Sequence, residues 1–306
     1  MKHYIEFVLF QAFKLTILSL PLKSAQRLGS YVGSLAFSLY TSRREIALEN
    51  LRHAFPEKSE HECRAIARGA FRNYGITFAE LLWFPNLNDE RIRRLVQVQN
   101  AELATTAYRN GKGLVMLSGH FGNWELNALA TPYLMQLPTT IIVQTQSNEL
   151  VDNVINRHRC LFGNRVVPMG ISVREIIRTL ENGGVVAIAP DQSAAMEGAF
   201  VEFFGRKVAT HKGPAAFALR FGAPLQIGFT LRKPDGTYSI VIEEIRTSDL
   251  TDNSEANIVE LTRRHTALLE KYIRMYPDHW LWMHRRWKHT QDDVEGTRPS
   301  DAELHA

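Results

Sequence analysis

The chain reads as an α/β protein, with a mostly parallel central sheet flanked by helices and a helical, membrane-associated N-terminal extension. Three observations predict this. Short apolar runs at 114–118, 139–144, 165–168 and 184–190 look like buried strands. Helical patterns at about 123–136, 148–163 and 171–182 alternate with them, punctuated by Gly, Pro and Asn. The 306 residues, 45% of them apolar, suffice for one large domain plus an extension.

From the N-terminus, Tyr4 to Leu20 is an apolar run broken by Glu6, Gln11 and Lys14. As a helix it measures about 25 Å, slightly short of a hydrocarbon core of roughly 30 Å. A signal anchor, an interfacial helix and a cleaved signal peptide compete. No A-x-A site follows, and the polar residues gather on no single face. The expectation is an uncleaved membrane anchor over residues 1–22. Lys23, Arg27, Arg43 and Arg44 follow it, against Lys2 before it, which leaves the remainder in the cytoplasm.

Leu28 to Tyr40 is too short to span and reads as a packed helix, with Gly29 and Gly33 permitting close approach. Arg43 to Phe55 is a helix stopped by Pro56. Ser59 and Glu62 form a capping box for a helix to about Phe84. Its stripe of Ala67, Ala70, Phe71, Tyr74, Phe78, Leu81 and Leu82 reads first as core and second as the lining of an acyl groove. A helix at 88–96 and a short strand at 96–98 complete a helical region, 23–98, that packs on an α/β domain, 99–290. Within that domain follow a hairpin at 200–208 turned at Gly205 and a helix at 212–221. Strands at 224–231 and 238–243 flank the Pro234-Asp235-Gly236 turn, and a helix runs over 254–275. Residues 291–306 form a polar tail.

The net charge of +4 suits an anionic partner such as a phospholipid surface or an acidic carrier. It is too small to argue for nucleic acid, and no nucleic-acid motif appears. Cys63 and Cys160 make neither a disulfide framework nor a metal cluster, and fit a reducing compartment.

The chemistry concentrates at Leu114 to Glu125. A buried strand ends at Ser118, Gly119 and Gly122 form a tight loop, and Asn123 caps the next helix. His120 therefore sits at the C-terminal edge of a strand, where α/β folds bind ligands. Glu125 lies in the first helical turn. A turn at Gly122 brings the two within reach, so that the carboxylate orients one imidazole nitrogen and the other accepts a proton from a hydroxyl. The rival reading is a loop histidine bonded to backbone, with Glu125 merely favourable at a helix start. Spacing alone does not separate them. No G-x-S-x-G, H-E-x-x-H or Walker lysine loop competes. His53, His61, His211, His265, His279 and His289 read as surface or structural, and His158, between two arginines, has a lowered pKa if buried.

His120-Phe-Gly-Asn-Trp-Glu125 resembles the H-x4-D/E motif of glycerolipid acyltransferases, and in its longer form the bacterial lipid A late acyltransferases. Gly111-Lys112-Gly113 precedes it as in that family. Ala189-Pro190-Asp191-Gln192 is similar to the second family motif. Phe203-Phe204-Gly205-Arg206 with Ala209-Thr210 resembles the third, and Trp282 to Lys288 the terminal signature. The matches run in order from 111 to 288. The resemblance implies a glycerolipid-acyltransferase-like fold and transfer of a fatty acyl chain from acyl carrier protein to a hydroxyl of a lipid A precursor. It places the enzyme at the cytoplasmic face of a Gram-negative inner membrane.

On this resemblance His120 is the general base and Glu125 its orienter, acting in a ternary complex. An N–H near Gly122 or Asn123 faces the oxyanion. Asp191 and Gln192 contact substrate. Arg157 binds an acceptor phosphate bidentately, or the developing charge beside His120, with Arg159 as its rival. No metal or organic cofactor is expected, since phosphopantetheine arrives on the donor. Arg285, Arg286 and Lys288, interleaved with Trp280, Trp282 and Trp287, are expected to touch the membrane or the acidic carrier. Three alternatives remain: a related acyltransferase with another glycolipid or an amine as acceptor, a metal hydrolase ligated by His120, Glu125 and Asp191, and a catalytically dead membrane scaffold.

Overall fold

The computed structural model of the protein describes residues 1–291, so the expected polar tail lies outside the described residues except for Gln291. Four helices open the chain: α1 (Lys2–Ser19), α2 (Leu22–Leu39), α3 (Thr41–Ala54) and α4 (Glu60–Trp83). The expected capping box starts α4. The Ser59 hydroxyl accepts the Glu62 N–H, and the Glu62 carboxylate accepts the Ser59 N–H at 2.8 Å. α2 and α4 touch backbone to backbone. A Cβ added at Gly33 would lie 2.2 Å from the Phe71 carbonyl, so no larger residue fits the crossing.

α1 is folded onto the rest of the protein. Its Phe10 and Phe13 rings lie 6.2 and 6.3 Å from that of Phe78 on α4, and Ile17 is fully buried. The Trp83 indole donates to the Leu20 carbonyl at 2.9 Å. The outer face leaves Tyr4, Ile5, Val8, Leu9 and Leu15 exposed. No helix among the described residues is long and apolar enough to cross a membrane, so the expectation of a spanning anchor at Tyr4–Leu20 is not met. Glu6, Gln11 and Lys14 dilute the run, and its inner face is used for packing.

Then come α5 (Asp89–Leu95), β1 (Val96–Gln99), α6 (Ala101–Arg109), β2 (Leu114–Ser118), α7 (Trp124–Met135), β3 (Thr139–Val143), α8 (Glu149–Arg159), β4 (Arg165–Pro168), α9 (Ser172–Glu181) and β5 (Val185–Ile188). They are followed by β6 (Ala199–Phe203), β7 (Arg206–Thr210), α10 (Gly213–Phe221), β8 (Leu225–Arg232), β9 (Tyr238–Ile245) and α11 (Glu255–Met275). Seven strands form one sheet in the order β1-β9-β8-β2-β5-β3-β4. All neighbours are parallel except β8 and β9, the hairpin around Gly236. β6 and β7 form a separate antiparallel pair.

The predicted α/β class and strand positions hold, and two local differences appear. α6 leaves little trace in the sequence, because its buried positions are the alanines Ala104 and Ala107, a weak apolar signal. The helix expected to reach residue 163 ends at Arg159, and Phe162 adopts a left-handed φ of 64°.

The sheet order positions the site. β2 lies between β8 and β5, with Leu114 paired to Val185 and Ser118 to Gly228. Parallel neighbours end on the same edge. The loop after β2, carrying His120, thus emerges beside the loop after β5, carrying Asp191.

Candidate active site

The loop after β2 is held from three sides. The Gly122 N–H donates to the His279 carbonyl at 2.8 Å, and the Leu281 N–H to the His120 carbonyl at 3.0 Å. The Thr77 hydroxyl of α4 donates to the Gly122 carbonyl at 3.0 Å. Gly122 has φ +59°, and a Cβ there would sit 1.8 Å from the Thr230 carbonyl oxygen. Both the backbone conformation and the close approach to β8 demand glycine.

Asn123 caps α7. Its Oδ1 accepts the Leu126 N–H at 2.8 Å, and its Nδ2 donates to Glu80 at 2.7 Å. Glu80 is itself buried, bound by Arg232 at 3.0 Å, by Gln26 at 2.7 Å and by the Tyr238 hydroxyl. This buried knot joins α2, α4, β8 and β9 to the start of α7. Gly122 and Asn123 therefore shape the loop and present no side chain to a ligand. The Gly122 N–H, expected to face an oxyanion, is already taken by His279.

The carboxylate on His120 is that of Asp191. His120 Nδ1 lies 2.7 Å from Asp191 Oδ1. Asp191 Oδ2 accepts the His120 main-chain N–H at 2.8 Å and the Trp280 indole N–H at 2.9 Å. Asp191 is buried, while the His120 side chain keeps 22% of its surface exposed. Its second nitrogen, Nε2, has Gln192 Nε2 at 3.5 Å. Asp191 and Gln192, expected to contact substrate, thus both contact His120.

Burial disfavours the imidazolium, but the Asp191 charge and hydrogen bond outweigh it, with help from Glu125, and raise the His120 pKa. Burial likewise works against the Asp191 carboxylate. The His120 charge and three donated hydrogen bonds overcome it and pull that pKa down to about 2.

Glu125, expected to orient His120, instead forms a buried ion pair. Arg159 binds its two carboxylate oxygens at 2.6 and 2.8 Å. The helical turn after Asn123 turns the Glu125 side chain toward α8. Its pKa is lowered because the Arg159 charge and hydrogen bond exceed the opposing effect of burial. Arg157, the expected phosphate ligand, is exposed on the other face of α8. Two residues on a helix stand about 200° apart, so only one of the pair can face the site. His158 is buried and bonded to the Leu81 carbonyl at 2.9 Å, and burial lowers its pKa as anticipated. Among the described residues no group of three His, Cys, Asp or Glu side chains could hold a metal. Of the hydrolase set, Glu125 is engaged by Arg159.

The terminal signature is mostly internal. Trp280, Trp282 and Arg286 are buried, and Trp287 is partly so. Arg286 donates to the Ala209 carbonyl at 2.8 Å and to the Thr210 hydroxyl at 2.5 Å, and burial lowers its pKa to about 10. Arg285 and Lys288 alone among the three basic residues reach the surface. The expected aromatic and basic contact surface therefore reduces to these two side chains.

An apolar groove of about 440 Å3 lies between α1, α2, α4 and the segment after α11. Phe13, Ala36, Phe71, Phe78 and Met283 line it, and so do Arg43 and His284. Tyr74, also in its lining, stacks on Trp124 at 6.1 Å, and the Trp124 ring lies 5.1 Å from the His120 imidazole.

Residues 1–289 match the model of a family of acyltransferases, and acyltransferase is the class this protein falls in. The family is that of bacterial lipid A biosynthesis acyltransferases, and the chain belongs to it. It is similar to the lipid A biosynthesis lauroyltransferase of Escherichia coli, 29% identical over 91% of this chain and 90% of that protein. The palmitoleoyltransferase of the same organism is 27% identical over 85% and 84%. A phosphatidylinositol mannoside acyltransferase of Mycolicibacterium smegmatis is 22% identical over 72% of each chain.

Proposed function

We propose that the protein transfers a fatty acyl chain from the thioester of acyl carrier protein to a hydroxyl of a lipid A precursor. His120 is the general base and Asp191 its orienter. Asp191 holds the proton on Nδ1, so Nε2 is unprotonated and, in place of its long contact with Gln192, takes the proton of the acceptor hydroxyl as its oxygen attacks the thioester carbonyl. The tetrahedral oxygen faces the start of α7, where the Asn123 N–H and the positive end of the helix dipole stabilise it. Collapse expels the carrier thiolate, which recovers the proton from His120. The acceptor oxygen attacks the thioester directly, so no acyl-enzyme is required. The chain's own residues supply this chemistry without a metal or organic cofactor.

The observation that carries this reading is the His120–Asp191 pair, which the rings of Trp124 and Tyr74 link to an apolar groove suited to an acyl chain. α1, with its exposed Tyr4, Ile5, Val8, Leu9 and Leu15, lies along the cytoplasmic face of the inner membrane. A second reading, acylation of another glycolipid, draws on the similarity to the mannoside acyltransferase. Mass spectrometry of lipid A from cells with and without the protein tests the acceptor. Loss of one acyl mass in its absence is expected, and unchanged lipid A would favour the second reading. Purified protein with acyl carrier protein thioester, with and without chelator, tests the donor and the mechanism.

A further inference from the structure

Beside the groove lies a second concavity of opposite chemistry, about 480 Å3 in volume. Among the described residues, Arg43, His284, Arg285, Lys288 and His289 line it, together with the turn at Ser193 to Ala195, and no carboxylate does. The ion pairs among the described residues include none of Arg43, Arg285 and Lys288. Arg43 donates one N–H to the Met283 carbonyl at 3.1 Å. His284 Nδ1 is buried and has no partner among the described residues. Three fixed cations around one hollow repel one another, and an anion there removes that repulsion.

The cleft also has a direction. It shares Arg43 and His284 with the apolar groove, so these two residues form the wall between them. A ligand fitting both sides carries an apolar chain on one and an anion on the other. Phosphate suits the basic side: its oxygens accept from guanidinium forks, an ammonium and an imidazole together.

We propose that this cleft binds a phosphate ester of an acylated substrate, held by Arg43, Arg285 and Lys288. The proposal rests on the acyl-transfer reading above. The phosphate belongs either to the glycolipid acceptor or to the phosphopantetheine arm of the donor.

The test uses the full chain and the double variant Arg285→Ala/Lys288→Ala, whose side chains are exposed and absent from the core. Turnover is measured with acceptor lipid bearing or lacking phosphate, and with acyl-phosphopantetheine or acyl-pantetheine as donor. For one of the two phosphorylated substrates the variant should raise KM about tenfold with kcat retained. With its dephosphorylated counterpart, variant and wild type should match. Whichever substrate shows the difference is the source of the phosphate. A KM unchanged throughout, or a defect equal with and without phosphate, overturns the proposal.

Line broadening of inorganic phosphate in 31P NMR gives a readout independent of turnover, expected with wild type and lost in the variant. Broadening lost in the variant without any acyl transfer by wild type would keep the anion site and remove the acyl-transfer reading. Transfer without any phosphate dependence would do the reverse.

Discussion

His120 Nδ1 and Asp191 Oδ1 lie 2.7 Å apart, although 71 residues separate them in the chain. The same carboxylate also receives the His120 main-chain N–H and the Trp280 indole N–H. Three donors from two loops therefore fix one buried anion, and the imidazole has one orientation relative to the sheet edge.

Asp191→Asn should lower kcat by about 10²- to 10⁴-fold, because the amide no longer holds the reactive tautomer. His120→Ala should fall at least as far. Steady-state rates on protein with wild-type circular dichroism check this. Near-normal turnover in either variant would sink the pair.

The pH profile follows from the raised pKa of His120. The base must be neutral, so the acid limb of kcat/KM should lie above the ordinary histidine value of 6.5. In Asp191→Asn the residual activity should keep its acid limb at lower pH, since the raising charge is gone. The stability linkage has two signs. Protonated His120 contributes stability fully below its unfolded pKa, lost as pH rises through the higher folded value. Ionised Asp191 contributes above its unfolded value of 3.8, and this is lost as pH falls toward about 2. An acid limb unmoved by Asp191→Asn would contradict the electrostatic account.

Glu125 and Arg159 should behave as a buried pair. Removing either partner leaves an uncompensated charge, worth about 3–5 kcal/mol of stability. Glu125→Ala and Arg159→Ala should each lower Tm, and the double variant should recover part of the loss. Arg157→Ala, on the exposed face, should leave both Tm and turnover near wild type. Urea titrations of the four variants decide this, and additive losses in the double variant would argue against the pair.

Gly122→Ala and Gly111→Ala make a controlled comparison, since both glycines have positive φ. At Gly111 the added methyl meets nothing within 4 Å, so the cost is the backbone strain of about 1–2 kcal/mol. At Gly122 it would enter the Thr230 carbonyl, and the variant should fail to fold or lose over 4 kcal/mol. Equal thermal stability of the two would refute the close approach.

A chain starting at Ser24 should lose stability as well as membrane retention. Deletion removes buried Ile17, uncovers Phe78 and deprives the groove of Phe13. A lower Tm together with altered acyl-chain preference is expected. Unchanged Tm would mean that α1 contributes nothing to the packed structure.

The sequence by itself determined the strands, most helices, the caps at Ser59 and Asn123, and the position of His120 on a strand-end loop. These follow from local periodicity and from side chains that bond their own backbone a few residues away. Tertiary structure alone decided which carboxylate meets His120. Glu125 is near in sequence, but a helical turn directs it to Arg159. Asp191 is distant, but β2 and β5 are parallel neighbours, and strand order is not encoded in any one strand's pattern. The same reason separates Arg159 from Arg157. Spacing put both on one short helix, and only the packing of α8 against α7 selected the one that pairs with Glu125. The N-terminal run was legible as apolar. Whether its face met lipid or protein depended on α4, whose Phe78 and Trp83 give α1 a surface to cover.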